Sequence, residues 1–305
     1  MSEIVGVFNI MATPFTEDGA VDVASLRRLV DFQIDKGAHG LTILGVLGEA
    51  AKLTVEERQQ VVDTVIDAVD GRVPIVAGTS HDDVQVCIRL SRSAVAAGAA
   101  GVMIAPPRFD VPTHDDEAVR AFYEEVASAC DQPIVVQDFP PVNNVFMSPD
   151  FLAGLAGRIP NVRHLKLEEP PLMQKISAIL ARTDKFLIFG GLGGMFFLEE
   201  LERGAAGTMT GFAFTEILVA VYDAMRRGDR EGAARIFDHY LPLIRFENQP
   251  AINLTIRKEL LYRRGAIAHA SPREPFNPID QGTHQEIAWV LARVGIEDPT
   301  RKLSL

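Results

Sequence analysis

The sequence predicts an α/β fold, a (β/α)8 TIM barrel followed by a C-terminal three-helix extension. Three observations predict it. Short apolar runs alternate with longer amphipathic segments, which argues for helical crossovers and a parallel sheet. Most of the apolar runs are continuous rather than alternating, as expected of strands covered on both faces. Eight strand–helix units fit before about residue 228, in keeping with the ~250 residues such a barrel takes. An open doubly wound sheet is the competitor. Its usual GxGxxG after the first strand is absent, and that loop reads "ATPFTEDG".

The elements follow in order. "VGVFNIMA" (5–12) is the first strand, and "DVASLRRLVDFQIDKG" is a helix with Leu26, Leu29, Val30 and Phe32 near helical spacing and Gly37 as its stop. "GLTILG" (40–45) precedes "TVEERQQVVDTVIDAVDG", where Thr54 and Glu57 form a capping-box pattern and Gly71 ends the run. "VPIVAG" (73–78) leads to "DDVQVCIRLSRSAVAAG", and "GVMIAP" (101–106) to "DDEAVRAFYEEVASAC". "PIVVQD" (133–138) is followed by "SPDFLAGLAGRI", with Ser148 as cap and Pro149 at the first helical position. "VRHLKL" (162–167) and "KFLIFGG" (185–191) each precede a further helix, and "AGTMTG" (206–211) precedes "TEILVAVYDAMRRG". Three more amphipathic segments follow without a long linker. The expected organisation is therefore a barrel over 1–228 and helices over 229–305 packed on it.

Composition narrows the function. The chain has 305 residues, 47% hydrophobic and 23% charged, an ordinary globular balance. A net charge of −11 argues against nucleic acid and anionic membrane as partners. No apolar stretch reaches the ~18 residues of a membrane span, and the N-terminus has no basic leader region. Cys87 and Cys130 lie in helical patterns, so buried thiols and a cytoplasmic setting are expected. No CxxC or paired-His spacing suggests a metal.

Reacting groups in such barrels stand at the C-terminal ends of the strands. Lys166 interrupts the apolar run of the sixth strand, where lysine is unusual without a partner or a role. Burial lowers a lysine's pKa, and a neutral amine can attack a ketone to give a Schiff base. The competing reading is a structural ion pair with Glu168, Glu169 or Glu49. His81, after the third strand, suits proton transfer near neutral pH. Gln137 and Asp138 end the fifth strand; the amide can fix a water or a substrate oxygen. Glu49 follows the second strand as turn anchor or site residue. The glycines of "FGGLGG", with Gly191, and of "GAAGTMTG", beside Thr210, allow close backbone approach to a ligand. Around Val46 and Leu47 only backbone N–H groups are present to hold a carboxylate.

Taken together, "MATPFTEDGAVD", "GVLGEAAKLTVEER", "VPIVAGTS", "GVMIAPP", "KLEE", "GGLGG" and "GAAGTMTG" resemble the dihydrodipicolinate synthase / N-acetylneuraminate lyase family over nearly the whole chain. The resemblance implies an imine between Lys166 and a 2-keto acid, no other cofactor, and frequent homotetramers. Synthases and lyases of the family carry two threonines where this chain has Val46 and Leu47, and Tyr-Asn where it has Gln137-Asp138. The Gln-Asp pair and "YLPLIRFENQPAINLTIRKELLYRRG" are similar instead to the L-2-keto-3-deoxyarabonate dehydratase subgroup. That resemblance implies dehydration of a 2-keto-3-deoxy sugar acid, with Lys166, His81 and Gln137 catalytic and Val46, Leu47, Glu49, Asp138, Gly191 and Thr210 around the substrate. Pyruvate-dependent aldol cleavage, synthase-type condensation and non-catalytic keto-acid binding are the alternatives.

Overall fold

The computed structural model describes residues 4–303 and residue 305. Eight parallel strands close into a barrel in sequence order: β1 (Gly6–Ile10), β2 (Gly40–Ile43), β3 (Ile75–Gly78), β4 (Gly101–Ile104), β5 (Ile134–Asp138), β6 (Val162–Leu167), β7 (Leu187–Gly190) and β8 (Gly207–Thr210), the last pairing with β1. The strands alternate strictly along most of their length. Phe8, Ile10, Val76, Met103, Val135, Phe189 and Met209 turn inward and fill the barrel. Their neighbours, among them Leu41, Ile43, Val102, Ile134 and Leu165, turn outward under the helices. Both faces are apolar, which is why the strands read as unbroken hydrophobic runs.

The crossover helices are α1 (Val23–Asp35), α2 (Val55–Val69), α3 (Val84–Ala97), α4 (Asp116–Ala129), α5 (Pro140–Asn143), α6 (Pro149–Arg158), α7 (Leu172–Leu180), α8 (Phe197–Glu202) and α9 (Thr215–Arg226). Asp22 caps α1, and Thr54 and Glu57 form the reciprocal box that starts α2. Ser148 accepts from Phe151 N–H ahead of Pro149 at the start of α6. The short α5 and the two 3₁₀ turns at Val46–Gly48 and Ala50–Lys52 lie where the sequence predicts only loops. Each is a single turn, too short to carry a periodic signal.

One irregularity decides which way the sixth strand faces. Ile134 pairs with Val162 but Val135 pairs with His164, so Arg163 is an extra residue in β6. Val162 and Leu165 consequently both lie in the outer core, three positions apart, and His164 and Lys166 turn inward. A bulge shifts the phase of every residue beyond it. Lys166 thereby becomes the register partner of Gln137 on the inner face.

Three further helices, α10 (Arg230–Glu247), α11 (Asn253–Arg263) and α12 (Gln281–Arg293), follow α9. Buried ion pairs tie them to the strand ends. Arg257 Nε lies 2.6 Å from Glu247, whose carboxylate accepts the Ala213 N–H beyond β8. Lys258 Nζ reaches Glu49 at 2.6 Å, and Arg264 reaches Glu216. Among the described residues no helix is long and apolar enough to cross a membrane. Cys87 and Cys130 are both free and buried.

Candidate active site

A cavity of about 540 Å³ opens at the C-terminal ends of β2 to β5. Gly78, Met103 and Gln137 belong to its wall, Ser80 and His81 come from the loop after β3, and Asn143 comes from α5. Behind Gln137, one strand further round, stands Lys166, 4% exposed. Its Nζ lies 2.8 Å from Glu168 Oε2. Gln137 Nε2 donates to the same oxygen at 3.0 Å. An amine, an amide and a carboxylate thus meet on one atom, Glu168 Oε2.

Two adjacent glycines at the end of β7 make room for acids on opposite faces. A Cβ on Gly191 would stand 2.5 Å from Glu168 Cγ, so the inner carboxylate needs a residue with no side chain there. A Cβ on Gly190 would stand 1.6 Å from Glu200 Oε2, on the outer face. Glu200 is buried with that oxygen unpartnered. Burial, and after it the charges of Glu168 and Glu199, push its carboxyl up to about 8. Deeper in the barrel His164 shares the inner face with Lys166, and burial holds its imidazole down at about 4, neutral at physiological pH.

The loop after β2 is held by Thr13, whose hydroxyl donates to Gly48 O at 2.7 Å. Leu44 and Glu49, on either side of it, adopt positive φ of 56° and 55°. Such conformations in non-glycine residues are uncommon and concentrate at functional sites. Among the described residues neither Val46 N–H nor Leu47 N–H donates to a protein acceptor. Val46 is 55% exposed at the mouth, while Leu47 packs on the inward cluster.

The structure brings some of the expected residues together and separates others. Lys166, Gln137 and the Val46–Leu47 backbone face the barrel interior or its mouth. His81 reaches only the rim, exposed, with Nδ1 accepting the Asp83 N–H at 2.9 Å. Of three expected substrate contacts, two are engaged by other groups and the third turns outward. Glu49 has both oxygens engaged, Oε1 by Lys258 and Oε2 by Lys52 and the Arg273 N–H. It anchors the C-terminal helices, the turn-anchor alternative. Asp138 points out of the barrel, the phase opposite to Gln137, and binds Lys175 at 2.6 Å. Thr210 has the same outward phase as Thr208, which donates to Gly190 O, and not that of inward Met209. Gly191 contributes as the seat of Glu168. The sequence named Glu168 only as a structural partner, and the doublet "EE" with the later "GG" was the available signal. Among the described residues no group of three or more His, Cys, Asp or Glu side chains is placed to hold a metal ion.

A model of the family described as dihydrodipicolinate synthetase matches residues 3–293. An L-2-keto-3-deoxyarabonate dehydratase from Azospirillum brasilense is 35% identical over 293 residues, 95% of this chain and 94% of that protein. A 4-hydroxy-tetrahydrodipicolinate synthase from Methanoculleus marisnigri is 31% identical over 298 residues, 95% of this chain and 99% of that protein. Among solved structures, a dihydrodipicolinate synthase from Rhodopseudomonas palustris superposes with a TM-score of 0.90 at 34% identity, covering 96% of this chain and 98% of that one.

Proposed function

This chain belongs to the dihydrodipicolinate synthetase family, and we propose that within it the protein dehydrates a 2-keto-3-deoxy sugar acid. The family's chemistry is that of Schiff-base lyases, in which the keto acid is held on a lysine and no separate cofactor is needed. The observation that carries the finer reading is the shared oxygen of Glu168. Where synthases and lyases of the family place a phenol, this chain has an amide, and that amide aims a carboxylate at Lys166.

The steps follow from that arrangement. Lys166 hands a proton to Glu168, its carboxylate partner, so that both become neutral and no charge is left stranded in the interior. The free amine adds to the C2 ketone, and Glu168 returns its proton to the resulting C2 hydroxyl, which leaves as water to give an iminium and restores the carboxylate. The iminium withdraws electrons and acidifies C3. Glu168 takes a C3 proton, and the resulting enamine expels the C4 hydroxyl, which leaves as water after protonation by the same acid. Water then cleaves the conjugated iminium, releasing the dehydrated keto acid and regenerating Lys166. The free N–H groups of Val46 and Leu47 suit the C1 carboxylate. Gln137 fixes Glu168 and the C4 oxygen. We assign the proton to Glu168 rather than His81, because Glu168 touches the amine and His81 stands at the rim. By resemblance the working unit is a homotetramer.

Borohydride trapping with pyruvate tests the centre of this reading. A reduced adduct on the Lys166 peptide is expected, and an adduct elsewhere or none overturns it. Turnover on a panel of 2-keto-3-deoxy acids, followed by mass, should show loss of one water. Released pyruvate would mark aldol cleavage instead, binding without turnover a non-catalytic protein.

A further inference from the structure

The ends of β5 and β6 carry a second cluster, on the face turned away from the cavity. Lys175, on α7, is 6% exposed. Its Nζ lies 2.6 Å from Asp138 Oδ2 and 2.6 Å from Glu169 Oε2. Asp138 adjoins Gln137 in the chain, and Glu169 adjoins Glu168. One ammonium therefore joins the two residues whose neighbours hold the inner amide–carboxylate contact. The backbone closes the same junction, Glu168 N–H donating to Asp138 O at 3.0 Å. Beyond this bond the two strand ends diverge, since α5 follows one and α7 the other.

We propose that Lys175 is a positioning residue for proton transfer, a clamp from outside the barrel that sets the spacing of Gln137 and Glu168 within it. This rests on the reading of Lys166 as the imine-forming amine. The clamp works through geometry: an ammonium shared by two carboxylates fixes both strand ends, and Glu168 hangs on one of them. Reacting groups displaced by about 1 Å can lose on the order of 10²-fold in rate. The amine does not depend on the clamp in the same way, because Lys166 lies within β6 and is held by the ladders to both neighbouring strands.

The two steps can be read separately in the full chain. Borohydride trapping of pyruvate reports imine formation at Lys166. Exchange of the pyruvate methyl hydrogens in deuterated water, followed by NMR, reports removal of the C3 proton. In Lys175→Met, the end-point yield of trapping should persist, because borohydride draws even slowed imine formation to completion, while the exchange rate falls by about 10²-fold. Lys175→Arg, which can bridge both carboxylates, should restore most of the exchange. Glu169→Gln, at a position 20% exposed on its side chain and thus tolerant of change, should give a smaller loss of exchange with trapping intact. It decides the matter if Lys175→Met does not fold. Parallel loss of both signals in the folded variants, or no loss of exchange, overturns the clamp and leaves the imine reading standing. Absence of trapping in the unaltered protein overturns both.

Discussion

The inner and outer faces of the β5 and β6 ends are built from the same parts and differ in their count. Inside, Lys166 meets one carboxylate, Glu168, with an amide sharing its oxygen and a cavity beyond the amide. Outside, Lys175 meets two, Asp138 and Glu169. Burial is nearly equal, 4% and 6% exposure. What separates them is what remains if the amine gives up its proton. The inner pair becomes neutral, whereas the outer cluster keeps an uncompensated carboxylate in the interior, which is costly. Lys258 extends the lesson. Burial pushes it down to about 8 against the pull of Glu49, yet it is fully enclosed beside Phe15 and paired with Glu49, away from Gln137 and Glu168. A lowered pKa alone would nominate the wrong lysine.

The largest effect should come from removing the inner amine. Lys166→Met should abolish both trapping and turnover, since it removes the amine to which the covalent intermediate is assigned. Peptide mapping of the trapped protein sharpens the point: the adduct should sit on Lys166 and leave Lys175 and Lys258 unlabelled. Label on either of the other two would erase the distinction between the faces.

Next in size is the inner acid. Glu168→Gln should lower C3 hydrogen exchange by roughly 10²–10⁴-fold, the usual contribution of a positioned acid–base group. His81→Gln should cost far less than Glu168→Gln, because the imidazole is solvated at the rim and already accepts a backbone N–H. Exchange rates measured on both variants rank them directly. A greater loss at His81 would return the proton to the loop after β3.

The sequence carried the barrel almost completely, because two covered faces leave continuous apolar runs and caps such as Thr54 with Glu57 punctuate the helices. It carried Lys166 for the same reason, as a charge in an apolar run. It did not carry the direction in which charged residues at strand ends point. Asp138 and Gln137 are neighbours with opposite phases, and only the register shows which faces the cavity. The extra residue Arg163 is subtler still. Strict alternation from Val162 would turn Lys166 out of the barrel, and the three-residue step from Val162 to Leu165 was the one hint of a bulge. Glu168 was hidden because its role comes from Gly191, a residue more than twenty positions away whose contribution is an absence.

The same contrast of faces reaches β7, where the smallest of these effects lies. Gly191 seats Glu168 inside and Gly190 seats Glu200 outside, but only the inner acid has a cation. Burial raises Glu200 from an ordinary 4.5 to about 8. Its folded value is the higher one, so its contribution to stability is complete below about pH 4.5 and is lost as pH rises through about 8. Over that window the unfolded chain has released the proton and the folded chain still holds it. Stability should therefore decline with rising pH, by at most about 1.4 kcal/mol per pH unit from this group. Glu200→Gln keeps the shape and removes the titration. Thermal melts across the window should show a flatter pH dependence for the variant than for the unaltered protein, with the largest gain in relative stability at the alkaline end. Activity below about pH 8 should change little by comparison, because Glu200 lies outside the barrel wall and, holding its proton there, exerts no more charge on Glu168 than the amide that replaces it. Parallel melting curves for the two proteins would mean that the outer acid has found a partner, and that the two faces of β7 are more alike than their glycines indicate.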